Sequence, residues 1–236
     1  MPILRLGLRS LFLRARVVLL IALPIVLLLL SAVVRFATQG SHADAAADLI
    51  SVFGIGLVVP IVTLIATTTL INSEFDDGSI IYLLTKPIPR LTIIASKAVV
   101  VLASVLVVAA IPIGIAGLVV AGTSDGVAVA GLLGAVVSGA AYVGIFTALA
   151  TFMKRSILGC LLYWLLWEST ISSLISPVKW LSARSWGTAV LDGVASVPGR
   201  HPGVPVLYAV AATLIALVIG IVLAGRRLAA MTLSEV

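Results

Sequence analysis

Apolar and polar positions in this chain fall in blocks and do not alternate. Val17–Val34, Leu49–Ile71, Ala98–Ala121, Val127–Phe152, Ile157–Ile175 and Val204–Ala224 are almost unbroken Leu, Val, Ile, Ala and Gly, and only the fifth contains a charge, Glu168. Each reaches the roughly 18 residues that a helix needs to cross a hydrocarbon core. A helix facing water would keep a polar side, and these are apolar all round. The pattern predicts an all-α integral membrane protein of six transmembrane helices, forming one domain over residues 1–236. The first run is too long, and too closely followed by others, for a cleaved signal peptide, so it is expected to remain as an anchor.

Charge then orients the bundle. Arg5, Arg9, Arg14, Arg16, Lys86, Arg90, Lys97, Lys154, Arg155, Arg226 and Arg227 fall on the side of the termini, and Arg35, Lys179, Arg184 and Arg200 on the other. By the positive-inside rule both termini are expected in the cytoplasm, with the chain in the plasma membrane. The net charge of +6 and pI of 10.0 do not point to nucleic acid, because the basic residues flank apolar runs and suit anionic lipid headgroups. Hydrophobic residues make up 61% of the chain and the mean hydropathy is +1.28, which leaves no room for a soluble domain in any connection.

The connections differ in character. Residues 1–16 place Leu4, Leu8 and Leu11 beside a stripe of Arg5, Arg9 and Arg16, as in a helix lying at a membrane surface; a basic flank that only orients the first span fits the same residues. Residues 35–48 form a short polar loop and 122–126 a tight turn. Residues 176–203 carry Trp180, Trp186 and an apolar-periodic stretch to Ala195, which predicts a short helix dipping into the membrane from the outside.

The segment 72–97 is the charged exception. Glu74, Asp76, Asp77, Gly78 and Ser79 are acids and helix starters, so a short helix is expected from about Gly78 to Thr85, with Leu83 and Leu84 as its apolar contact. Pro87 and Pro89 stop it, and Lys86, Arg90 and Lys97 meet the headgroups as the chain turns back. Two readings follow: a solvated loop with ordinary caps, or a rigid lever on which a cytosolic partner docks.

The pattern Glu74-x-Asp76-Asp77-Gly78-Ser79, Leu83-Leu84, Lys86-Pro87, Arg90 and Lys97 resembles the signature of type 2 ATP-binding cassette (ABC) transporter permeases, with Ser79 where Thr is commoner. The Arg-rich start, the six runs, and Tyr163-Trp164-Leu165-Leu166-Trp167-Glu168 leading into an outer segment agree with it. The resemblance implies a permease subunit of an exporter, paired with a second permease subunit as homodimer or heterodimer. It also implies a separate ATPase subunit that binds ATP and Mg and docks on a coupling helix begun by Glu74, Asp76, Asp77, Gly78 and Ser79. Residues 1–16 become the connecting helix, and 176–203 the outer re-entrant segment.

The chain itself carries no Gly-Lys dipeptide and hence no phosphate-binding loop, so it is not expected to be an enzyme by itself. His42 and His201 lack the spacing of metal ligands. Gly122-Thr123-Ser124-Asp125-Gly126 matches a nucleophile-elbow pattern, but sits between two apolar runs instead of after a strand. Cys160 lies inside a run and reads as a packing residue. Two other classes remain. A gradient-driven transporter or channel would be expected to carry several intramembrane acids or bases, and an ATPase-linked scaffold would move no substrate.

Glu168 is the one intramembrane acid, and two roles are open to it: a structural one, capping or pairing with Lys179 or Arg184 in the outer segment, or a place on the transport path. Gly131, Gly134, Ala135, Ser138, Gly139 and Gly144 give the fourth run a small-residue face for close helix packing. Pro24, Pro60 and Pro112 are expected to bend the first three helices, with Thr67, Thr68 and Thr69 at the inner end of the second available to restore freed backbone bonds.

Overall fold

The computed structural model describes residues 2–76, 90–153, 155–174 and 176–230, and every regular element among them is helical. Helix α1 runs unbroken over Pro2–Ala37, so no break separates residues 1–16 from the first apolar run. Helix α2 is continuous through three segments, His42–Leu49, Ile50–Val58 and Val59–Asp76. Helix α3 likewise joins Arg90–Val105, Leu106–Ala110 and Ile111–Ala121. Helix α4 is Val127–Phe152, and α5 joins Ser156–Leu162, Tyr163–Ile171 and Ser172–Leu174. A 3₁₀ turn at Ser176–Leu181 leads to α6, Ala183–Val194, and the last helix, α7, is Val206–Ala230.

Among the described residues five helices are long and apolar enough to cross a membrane: Val18–Ala37, His42–Leu70, Leu91–Ala121, Val127–Phe152 and Val206–Ala230. The fifth apolar run appears as a shorter apolar helix, Ser156–Ile171. Helices α2 and α3 each start 7 or 8 residues before the apolar run that predicted them, because a polar first turn can be helical: Ser41 caps α2 by accepting from Asp44 N–H at 3.3 Å.

Two of the three middle segments are explained by proline. Ile50–Val58 and Leu106–Ala110 are π-helical, and Pro60 and Pro112 follow them by two residues. A proline cannot donate to the carbonyl four residues back and its ring crowds that carbonyl, so the turn widens. The third π segment, Tyr163–Ile171, has no proline; its loosened carbonyls are covered by hydroxyls, Thr170 donating to Leu165 O at 3.0 Å and Ser172 to Glu168 O at 2.6 Å.

Helix α4 is the centre of the bundle. Its glycines seat the side chains of α2 in register, Ile50 against Gly131, Ile55 against Gly134 and Val59 against Gly139, so the two helices run the same way side by side. On another face Gly144 meets the backbone of α7, where a β-carbon would lie 2.6 Å from Leu217 Cα. Helix α3 packs in the opposite sense, with Gly117 against Ala128. The turn joining α3 to α4 uses left-handed backbone at Gly122, Asp125 and Gly126 (φ 69°, 59° and 65°), and Ser124 sits in this interhelical turn, not after a strand.

The helices thus have two ends. The near end holds the α2–α3 junction and the far end holds the 122–126 turn. At the far end Arg35 Nη1 donates to Val119 O and Val120 O at 2.8 and 3.1 Å, closing the last turn of α3. At the near end Arg227 lies 5.9 Å from the ring centre of Phe152.

Candidate functional site: a buried carboxylate between a widened helix and a short one

Pro60 is where the site begins. In an α-helical frame its missing N–H leaves the carbonyl of Gly56 without a donor. The indole Nε1 of Trp164 supplies one from α5 at 3.1 Å. Of the threonines expected to restore freed bonds, Thr68 donates to Leu64 O at 2.7 Å, and the buried hydroxyls of Thr67 and Thr69 find no partner among the described residues. One indole therefore joins the π segment of α2 to that of α5.

Four residues on, Glu168 is only 1% exposed. Its Oε1 accepts from Tyr163 Oη at 3.0 Å and from Ala183 N–H at 2.9 Å. Its Oε2 accepts from Ser182 Oγ at 2.5 Å and from Arg184 N–H at 3.3 Å. Tyr163 reaches Glu168 because the turn is wide. Five residues along an ordinary α-helix would separate them by about 140°, given 3.6 residues per turn, whereas π-helical winding brings i and i+5 nearly into line. Tyr142 of α4 is fully buried, and its hydroxyl faces the carboxylate without reaching hydrogen-bonding geometry.

Of the two structural roles open to Glu168, the geometry is that of a cap on the outer segment and not of an ion pair. Among the described residues neither Lys179 nor Arg184 offers it a side chain, and Arg184 contributes its backbone N–H. The Arg184 guanidinium instead packs on Gly56, where a β-carbon would lie 3.1 Å from its Cζ. Four donors on two oxygens suit an acceptor-only carboxylate, and they offset the cost of taking it out of water.

Helix α6 is what this site holds. Ser182 is its N-cap, accepting from Ser185 N–H at 3.2 Å. Trp186 Nε1 and Tyr208 Oη both donate to Trp180 O, at 2.9 Å each, which folds the 3₁₀ turn against α7. The apolar-periodic stretch in 176–203 was therefore correctly legible as a helix. Beyond its other end, Arg200 donates to Asp192 Oδ1 at 2.8 Å and to Asp48 Oδ1 at 2.7 Å. Burial alone pulls the guanidinium's pKa down, but the bonds and charges of Asp48 and Asp192 outweigh it and hold it above its ordinary value. Sequence reading missed this bridge, since Asp48 and Arg200 are 152 residues apart. The signal was a set of lone charges on one side of an apolar bundle.

The expected docking segment is only framed. Glu74 and Asp76 belong to the last turns of α2, Arg90 opens α3, and Lys97 lies on α3 with its Nζ donating to Leu70 O at 2.9 Å. Asp77, Gly78, Ser79, Leu83, Leu84, Lys86 and Pro87 lie outside the described residues.

A family model described as ABC-2 family transporter protein matches residues 12–190. That stretch spans α1 to α6 and includes both π-helical partners and Glu168. The chain belongs to the ABC-2 transporter family. It is a multi-pass membrane permease component of an ABC transporter, and the family's membrane component is not itself the catalytic subunit. A comparison with curated proteins returns no match.

Proposed function

We propose that this ABC-2 permease is the membrane half of an ATP-driven exporter. Six spans, α1 to α5 and α7, cross the plasma membrane with both termini in the cytoplasm, so that the near end faces the cytosol. Residues 1–16 form the connecting helix, 72–97 the coupling segment, and 176–203 the outer re-entrant segment. Two permease subunits pair, and each receives a cytosolic ATPase that binds ATP and Mg.

Lys97 carries this reading furthest. Its bond to Leu70 O ties α3 to α2 just where they flank residues 77–89, so a push on that segment reaches two spans together. An ATPase that contacts the segment differently in its two states then shifts the permease between inward and outward access, by the difference in binding energy. Glu74, Asp76, Asp77, Gly78 and Ser79 begin the docking helix and Leu83 and Leu84 are its apolar contact; Lys86, Pro87, Arg90 and Lys97 return the chain to the membrane.

The test is purification in mild detergent from the native host, with mass spectrometry of what accompanies the chain. A nucleotide-binding ATPase in near-equal amount, lost on reversing the charges of Glu74, Asp76 and Asp77, is the expected result. An intact chain without any ATPase would overturn it.

A further inference from the structure

Helix α6 has only 12 residues, about 18 Å at 1.5 Å per residue, too short to cross a bilayer. Its first N–H groups have no acceptor within the helix itself. The first three have one here: Ala183 and Arg184 donate to Glu168 and Ser185 to Ser182 Oγ, and Trp186 N–H to Ser182 O then begins the helix's own ladder. Two of these acceptors are supplied by α5, which sets both oxygens of Glu168 against the positive end of the α6 dipole. At the opposite end, Asp192 of α6 is joined through Arg200 to Asp48 of α2.

We infer that Glu168 and Arg200 are positioning residues that tether α6 independently, Glu168 fixing its N-terminal end to α5 and Arg200 fixing its C-terminal end to α2. The two tethers differ in kind. Glu168 is enclosed, so neither water nor salt competes for its donors. Asp48 is 71% exposed, and an ion pair of that kind is weak and screened by salt. The N-terminal end therefore follows α5 rigidly, while the C-terminal end can part from α2. Ser196 N–H, bonded to Asp125 O at 2.8 Å, keeps the following turn against the α3–α4 junction when Arg200 lets go.

Hydrogen exchange resolved along the full chain in detergent tests this. In Glu168→Gln an amide NH₂ confronts the donors, so Ala183 and Arg184 N–H should exchange at least tenfold faster, with Val194 and Ala195 unchanged. Glu168→Asp should recover part of the protection. Arg200→Gln should speed Val194 and Ala195 and spare Ala183 and Arg184. Raising salt to 1 M should reproduce the Arg200→Gln pattern in the unmodified chain and leave the Glu168 end untouched. Cys160, buried with its Sγ 3.8 Å from Phe146 O, reports on the bundle and should stay unreactive to maleimide throughout. Equal acceleration at both ends in either variant, no acceleration in Glu168→Gln, or a reactive Cys160 in that variant would each overturn the proposal.

Discussion

Gly134 of α4 and Gly187 of α6 touch through their backbones: a β-carbon on Gly134 would lie 2.6 Å from Gly187 O, and one on Gly187 2.7 Å from Gly134 O. Backbone cannot rotate aside as a side chain can, so either helix must move if a methyl group is added. Gly134→Ala and Gly187→Ala are each expected to destabilise by about 1–3 kcal/mol, the usual cost of overpacking. Thermal unfolding in detergent reads this out, and Gly40→Ala, in open space, is the control that should show no such loss.

The Trp164 indole and Pro60 form a thermodynamic pair through Gly56. Trp164→Phe removes the donor and leaves a buried carbonyl unpaired, which costs about 1–3 kcal/mol. In a Pro60→Ala background the new N–H can serve Gly56 instead, so the same replacement should cost at least about 0.5 kcal/mol less. A double-mutant cycle on unfolding midpoints measures the difference. Additive effects would mean that Pro60 is not the cause of the free carbonyl.

Lys97→Met keeps the aliphatic stem and deletes the charged donor to Leu70 O. A charged hydrogen bond contributes about 1.5–3 kcal/mol, so the α2–α3 junction should open at least tenfold more often. Limited trypsin cleavage after Arg90 should accelerate by that factor when opening is fast relative to cleavage. An unchanged rate would show that Lys97 does not hold the two helices together.

Arg35→Ala should release Val119 O and Val120 O at the far end of α3. Exchange of the Gly122 N–H, which donates to Leu118 O at 3.0 Å in the same turn, is expected to rise several-fold. Protection at Thr68, in the body of α2 and away from this turn, should not change.

Hydropathy made the bundle legible because lipid demands long apolar helices, and the small-residue face of α4 correctly announced close packing. Helix ends were less visible. His42–Asp48 is polar and still helical, since Ser41 caps it and the α-helix does not require apolar residues there. The prolines read as bends; beside Pro60 and Pro112 the helices widen to π winding, and α1 runs through Pro24 as one α-helix. What sequence could not give was which distant residue answers each exposed group. Glu168 stood out as an isolated acid, but two of its four partners are backbone N–H groups, which nearly every residue has and no motif records. The Arg200 bridge was hidden for a different reason, as it spans most of the chain length.

The free carbonyl in α2 also has a history within each molecule's synthesis. Gly56 leaves the ribosome 108 residues before Trp164, an interval of about 5–20 s at ordinary rates of about 5–20 residues per second. Throughout that time the Gly56 carbonyl is without the indole that donates to it, and a lipid tail cannot take the indole's place. Helix α5 arrives with the indole that ends this condition, so the order of translation gives α5 a specific place to dock on a helix already in the membrane.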